Sequence, residues 1–462
     1  MPVQKTQRER SQEAVTLATS FSLVRYNHVT YIPVDFETGD DSVTPPPERT
    51  VWKPLDSTAI QRKALAQFDT LFINPGEELG FYYMVAQAAI QYLDETHGLL
   101  IRTAEGLREL RDDGKLYPPT GRFVPNYITV TLNEDQADKA EVMSVLTEWL
   151  DGEEEAIALL RHLATTLSPG WSAVKYVLLL GDGRNGKSVL MGMLEALFGW
   201  ENCSHVSRQD ISKASPTVTT LLGKLVNIVY DGVAEYLKDS GNEKSLIAGE
   251  PVSIRQLYSS VPTMVSTNAL FIEGLNREPK SSDKSSALQA RITRFWFPNT
   301  YKDDLLFKEH MHSQQMLGAF LALLIDNYVK RQDKAVMLAP TTTAITLQME
   351  HMKANSLAVQ FVLHVDETDP LYAESLIGLD MDELTAKFQS WRVSEGDLSP
   401  WSAPDVFEQF RPVILSERRS RRVNNQPRKL RIITGFKPEM MTQLQLTREE
   451  EAHDTSTPVV DE

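Results

Sequence analysis

Hydrophobic period changes abruptly at residues 176–198. Tyr176 to Leu180 run apolar without interruption, as a strand buried on both faces does. Eight polar or small residues follow, GDGRNGKS. Apolar positions then recur at Val189, Leu190, Met193, Leu194, Leu197 and Phe198, the spacing of a helix with one buried side. Three more stretches read as buried strands: KLVNIVYD (224–231), PTMVSTN (262–268) and RITRFWFP (291–298). Polar, Gly-bearing sequence separates the last two. Helical spacing is expected at 82–93, 99–110, 139–150, 153–167, 305–328 and 344–363. Residues 21–56 and 113–132 read as extended pieces, and 1–20 as frayed or weakly helical.

These shifts divide the chain into 1–112, a mostly helical 113–169, a core segment 170–300, a helical extension 301–370, a small mixed domain 371–440 and an acidic, disordered tail 441–462. Ser168-Pro169-Gly170 marks the boundary before the core segment.

Composition narrows the class. Of 462 residues, 42% are hydrophobic and 24% charged, an ordinary soluble balance. The longest apolar run, near 81–90, is too short for a bilayer, and the polar N-terminus is not a signal peptide, so no membrane role is expected. One cysteine, Cys203, excludes a disulfide framework and a cysteine-rich zinc module, and fits a reducing cytoplasm. The net charge of −16 does not advertise nucleic-acid binding, but it is uneven. Residues 171–300 hold 14 Lys+Arg against 12 Asp+Glu, net +2, which leaves −18 for the rest.

The segment Gly181-Asp182-Gly183-Arg184-Asn185-Gly186-Lys187-Ser188 fits G-x-x-x-x-G-K-S between a strand and a helix. Gly181, Gly183 and Gly186 let the backbone curl so that N–H groups face phosphate oxygens, and the helix N-terminus adds positive potential. Lys187 is placed for the β and γ phosphates, and the Ser188 hydroxyl for Mg²⁺. ATP and Mg²⁺ are therefore the expected ligands.

Such a site needs an acid at a neighbouring strand end, and Asp231 meets that demand; a turn Asp is the plainer reading. The next residue is Gly232, so a second acid is missing there, and Glu235 is the nearest substitute. Asn268, closing PTMVSTN, suits a polar sensor beside the γ-phosphate; it would equally suit a turn. Arg291 is the choice for an arginine supplied to a neighbouring subunit.

The loop, GKLVNIVYD followed by KSLIAGEPVSIRQLY, MVSTN, and ALQARITRFWFP together resemble superfamily 3 helicases of the phage and poxvirus-type primase–helicase branch. The resemblance covers about 113–365 well and 380–436 weakly. It implies an α/β fold, a P-loop AAA+-type three-layer motor with a mostly helical preceding domain; separately, apolar Val423 and Leu430 followed by IITGF suggest a small C-terminal winged-helix-like domain. The resemblance further implies a hexameric ring moving on single-stranded or forked DNA, alongside other replication proteins, in the host cytoplasm if phage-encoded. By it, Lys187 and Ser188 bind ATP and magnesium, Asp231 is the Walker B acid, Asn268 the sensor and Arg291 the trans finger. The segment 244–258 matches a pore-lining motif, so Arg255 and Lys244 would meet the DNA backbone. Independently, Arg255 with Tyr258 offers a charge and a stacking surface within one turn.

One basic stretch remains. RRSRRVNNQPRKLR (418–431) holds seven Lys+Arg and no acid, and reads either as a phosphate contact centred on Arg421 and Arg422 or as a solvated run. The competing function is an AAA+ ATPase loader or remodelling factor that separates no strands.

Overall fold

All five residues of Tyr176–Leu180 are buried: strands flank the segment on both edges, and both faces of it are covered. In the computed structural model, Cys203–Ser204, Val226–Val229, Leu270–Leu275, Tyr176–Leu180 and Ile292–Trp296 lie side by side in that order. Every pairing is parallel: Val226 faces Leu270, Phe271 faces Tyr176, and Ile292 faces Tyr176. The chain leaves its first strand for the far edge, returns inward, and crosses to the opposite side only for its last strand. That reversal beside Tyr176–Leu180 is where open parallel sheets place ligands, outside the carboxyl ends.

The structure describes residues 6–448 apart from 27–28, 43–44, 56, 69–74, 92–97, 112, 169–175, 233–240, 256–261, 277, 279–290, 329–338, 370, 396–399, 424–425, 439, 443 and 446–447.

One expected strand is not in this sheet. Within PTMVSTN, Thr263–Val265 pairs antiparallel with Val252–Ile254 in a separate hairpin, and Met264 is 47% exposed. The sheet takes Leu270–Leu275 instead, six residues all buried. Complete burial on both faces is the demand of a central strand, and the hairpin residues do not meet it.

One face of the sheet packs on helices Gln136–Leu150, Glu153–Ala164, Lys187–Phe198 and Gln314–Tyr328. Val177, Leu179, Ile272 and Phe295 meet Leu146, Leu159, Leu190 and Phe320 in a single core. Leu99, Ile101, Ile128 and Val130 belong to that same core. The boundary expected at 168–170 is therefore crossed by continuous packing. The chain instead forms two units. One holds 1–233, 240–277 and 291–339, and the other holds 340–462 with two short earlier segments. The expected 301–370 extension is split between them.

Near the N-terminus, helix Gln7–Ser20 starts on a reciprocal Thr6/Glu9 cap and buries Ala14, Leu17 and Ala18, so it is firmer than its polar composition suggests. The helix expected at 99–110 is a hairpin, with Leu99 opposite Leu110 and Thr103 opposite Gly106. Its leucines mimic helical spacing, but Gly106, at φ 109°, closes a turn that a helix cannot contain.

The second unit is built from helices Thr342–Asn355, Leu357–Thr368, Met381–Ser394 and Ala403–Phe410, then a two-stranded ribbon, Ile414–Val423 with Gln426–Phe436. Phe361, Phe388 and Phe410 meet edge to face at its centre, with Val406, Ile414, Ile433 and Phe436 around them. Asp380 bridges Ile432 just ahead of the third helix. Residues 451–462, most of the expected tail, lie outside the described residues. Among the described residues no helix is long and apolar enough to cross a membrane.

Candidate nucleotide site

The loop between Leu180 and Lys187 is shaped by three glycines with positive φ: Gly181 at 151°, Gly183 at 99° and Gly186 at 94°. Two of them also lack room for a side chain. A Cβ on Gly181 would come within 2.2 Å of Asn185 Nδ2, and one on Gly186 within 2.6 Å of the Trp149 ring. Asn185 ties the loop to the sheet's last strand: its Nδ2 donates to the Phe297 carbonyl at 3.2 Å. Phe297 N–H in turn donates to the Leu180 carbonyl at 2.8 Å.

Lys187 opens the following helix and is buried. Its ammonium donates to the Gly181 carbonyl at 2.6 Å and to Asn185 Oδ1 at 3.0 Å. Burial lowers its pKa, while the Asp182 and Asp231 charges oppose that shift. Ser188 is exposed at the same helix start.

A cavity of about 770 Å³ opens over this loop. It is lined by Gly183 to Val189, Tyr230, Asp231, Gly274 and Asn276, together with Trp149, Tyr301, Lys302, Phe307 and Lys308. Lys187, Ser188 and Asp231, far apart in sequence, thus line one cavity. Tyr230 and Asp231 follow the strand Val226–Val229 directly and stand at its carboxyl end.

Asn268 is not in this cavity. It precedes Leu270–Leu275, and in a parallel sheet that is the edge away from the loop. The residue that follows the same strand into the cavity is Asn276. Of the two strand-associated asparagines, Asn276 lines the cavity and Asn268 lies at the opposite edge of the sheet. Arg291 also lies at the far edge, where its carbonyl accepts from Tyr176 N–H at 2.6 Å. Lys244 lies on helix Gly241–Ile247, and Arg255 is exposed just past Val252–Ile254. Glu235 and Tyr258 lie outside the described residues. Arg421 donates to Glu383 at 3.5 Å, and Arg422 sits opposite Pro427 on the ribbon.

Sequence reading missed Asn276, Trp149, Tyr301, Lys302, Phe307 and Lys308. The strand-then-Asn pattern of LFIEGLN was present, but Glu273 disguised it. That carboxylate lies on the face of the sheet opposite the main core and is 2% exposed. Tyr176 Oη donates to it at 3.2 Å. Arg208 stands 3.9 Å from it and donates to Glu243 at 2.8 Å. Burial, then the Glu273 charge, push the Tyr176 hydroxyl well above its ordinary pKa, so it remains a donor.

A family described as of unknown function, DUF5906, matches residues 179–294, the stretch from the loop strand to the last strand of the sheet. No curated protein matches the chain in sequence. Among solved structures, an apo A form of the NrS-1 C-terminal region is 11% identical, with 92% of this chain and 98% of that chain covered, at a TM-score of 0.47. A second apo structure of that region, residues 305–718, is 12% identical over 93% and 100%, at 0.42. Likeness at that level fixes neither the details of the fold nor an activity.

Proposed function

We propose that the chain is an ATP-dependent motor of the P-loop class, a DNA helicase that works as a ring of copies on single-stranded DNA. The observation that carries this reading is the meeting of Lys187, Ser188, Asp231 and Asn276 in one cavity at the carboxyl ends of adjacent strands. The loop fits a triphosphate: its glycines take conformations and close approaches open only to glycine, and a buried ammonium stands at its base. Loop N–H groups and the helix start bind phosphate oxygens. Lys187 neutralises charge on the terminal phosphates, and Asn276 orients the attacking water. Ser188 and Asp231 would hold magnesium, which when bound offsets the phosphate charge.

The hairpin Val252–Ile254/Thr263–Val265 supports the DNA part of the reading, since exposed Arg255 begins its connection. In a ring of copies, such hairpins would bring scattered cations together on one strand.

The test is ATP hydrolysis with and without single-stranded DNA, on wild type and Lys187→Ala. DNA should stimulate the wild type strongly, and the variant should be inactive in both states. Wild-type turnover indifferent to DNA would count against a translocating motor. ATPase activity without strand displacement on a fork would favour a loader.

A further inference from the structure

The ribbon Ile414–Val423/Gln426–Phe436 has an inner and an outer half. At the inner end Ile414 pairs with Phe436 and Ser416 with Ile433, anchored in the core. From Arg418 outward both strands pair only with each other, through Arg418↔Arg431, Ser420↔Lys429 and Arg421↔Arg428. Like charges directly opposite destabilise a strand pair, so this half holds a charge density that the isolated chain does not need.

Some of that charge is met internally. Arg419 pairs with Glu417 at 3.1 Å, Arg421 with Glu383 at 3.5 Å, and Arg431 lies over the Phe407 ring at 4.2 Å. Arg418, Arg428 and Lys429 are exposed and pair with no carboxylate among the described residues. By strand alternation Arg418 and Lys429 share one face of the ribbon, and Arg428 lies on the other. A flat partner could satisfy only one face. A groove walled by phosphates satisfies both.

The helix in front of the ribbon points the same way by exclusion. In a winged-helix-like unit, helix Ala403–Phe410 would enter the groove. Its exposed positions are Pro404, Asp405 and Glu408, and phosphates would repel the two carboxylates.

We infer that the outer ribbon inserts into the major groove of duplex DNA, with Arg418 and Lys429 facing one phosphate wall and Arg428 the other, and that helix Ala403–Phe410 stays outside. The major groove of B-DNA admits a two-stranded ribbon, whereas that of A-form RNA is too deep and narrow. The inference does not depend on the nucleotide chemistry proposed above.

The experiment is fluorescence anisotropy of the full chain with a blunt DNA duplex across a salt series. Arg418→Gln/Arg428→Gln/Lys429→Gln should weaken binding at least tenfold at low salt. It should also flatten the log–log salt slope by about 2.7, at roughly 0.9 per lost phosphate contact. Arg418→Gln alone should remove about 0.9, which keeps the test open if the triple variant fails to fold. Asp405→Asn/Glu408→Gln should leave the slope unchanged. Methyl green, a major-groove ligand, should displace the protein, netropsin should not, and a duplex RNA of the same sequence should bind at least tenfold more weakly. A wild-type slope in both ribbon variants, displacement by netropsin alone, or equal binding to duplex RNA would overturn the assignment.

Discussion

The Cβ that Gly232 lacks would lie 2.1 Å from Glu273 Oε1 and 2.6 Å from Leu275 Cδ2. The position beside Asp231 where a second acid was sought is thus closed to any side chain, because a buried carboxylate from the next strand already fills it. Gly232 N–H donates to the Gly274 carbonyl at 3.0 Å, which draws the two strand ends together beside the cavity. Gly232→Ala must push Glu273 off Tyr176 and Arg208 or move Asp231. A stability loss of about 1–3 kcal/mol is expected, as for overpacking of a tight core. Glu273→Ala should relieve it, so a double-mutant cycle by urea unfolding should show favourable coupling of about 1 kcal/mol or more. Strict additivity would mean that the two groups do not compete for the same space.

Asn276 and Asn268 make a direct comparison. If Asn276 orients the attacking water, Asn276→Ala should lower ATP turnover on the order of 10²-fold, as loss of one positioned polar group does elsewhere, with nucleotide affinity changed only a few-fold. Asn268→Ala, at the far edge of the sheet, should keep turnover within a factor of a few. Steady-state kinetics on both variants decides it; the opposite ranking would return the role to Asn268.

Much of the site could be read before the fold was known. Tyr176–Leu180, the loop and the helix from Lys187 form one local unit, in which the period change, the glycines and the helix start are all sequence-adjacent. Asp231 was legible for the same reason, as the polar stop of an apolar run. Asn276 was not. Its strand is interrupted by Glu273, whose burial makes sense only once Arg208, Glu243 and Tyr176 are placed around it, and those come from distant parts of the chain. The apolar stretch ending at Asn268 looked better as a strand because nothing local says that Met264 is exposed. Packing across 168–170 is equally invisible locally. A Ser-Pro-Gly break signals a turn, and it cannot report that Leu99 and Val177 share a core on either side of it.

Arg291 begins the strand whose opposite end adjoins the loop. Five residues at roughly 3.3 Å each put its backbone about 16 Å from the carboxyl edge of the sheet, beyond the reach of its own cavity. If it takes part in hydrolysis, it does so on a neighbouring copy. Arg291→Ala and Asp231→Asn should each abolish turnover alone. Mixed, they should recover part of it, because some interfaces then pair an intact Arg291 with an intact Asp231. Recovery should peak at intermediate ratios in an ATPase titration. No recovery at any ratio would remove Arg291 from the catalytic set.

Cys203 lies buried on the edge strand Cys203–Ser204, and burial, reinforced by the Glu195 charge, pushes its thiol up to about 12 from an ordinary 9.0. The folded state therefore keeps a proton that the unfolded state releases. This contribution is complete below pH 9, and it is lost progressively as pH rises from 9 towards 12. Between pH 8 and 10 the wild type should lose about 1 kcal/mol more stability than Cys203→Ala, read as a difference in pH slope from urea unfolding rather than at a single pH. The same shift leaves on the order of 10⁻⁴ of the native thiol ionised at pH 8, so a thiol reagent should modify Cys203 only through opening of the edge strand. Modification of the native protein as fast as of the unfolded chain would show that Cys203 is accessible and its proton ordinary.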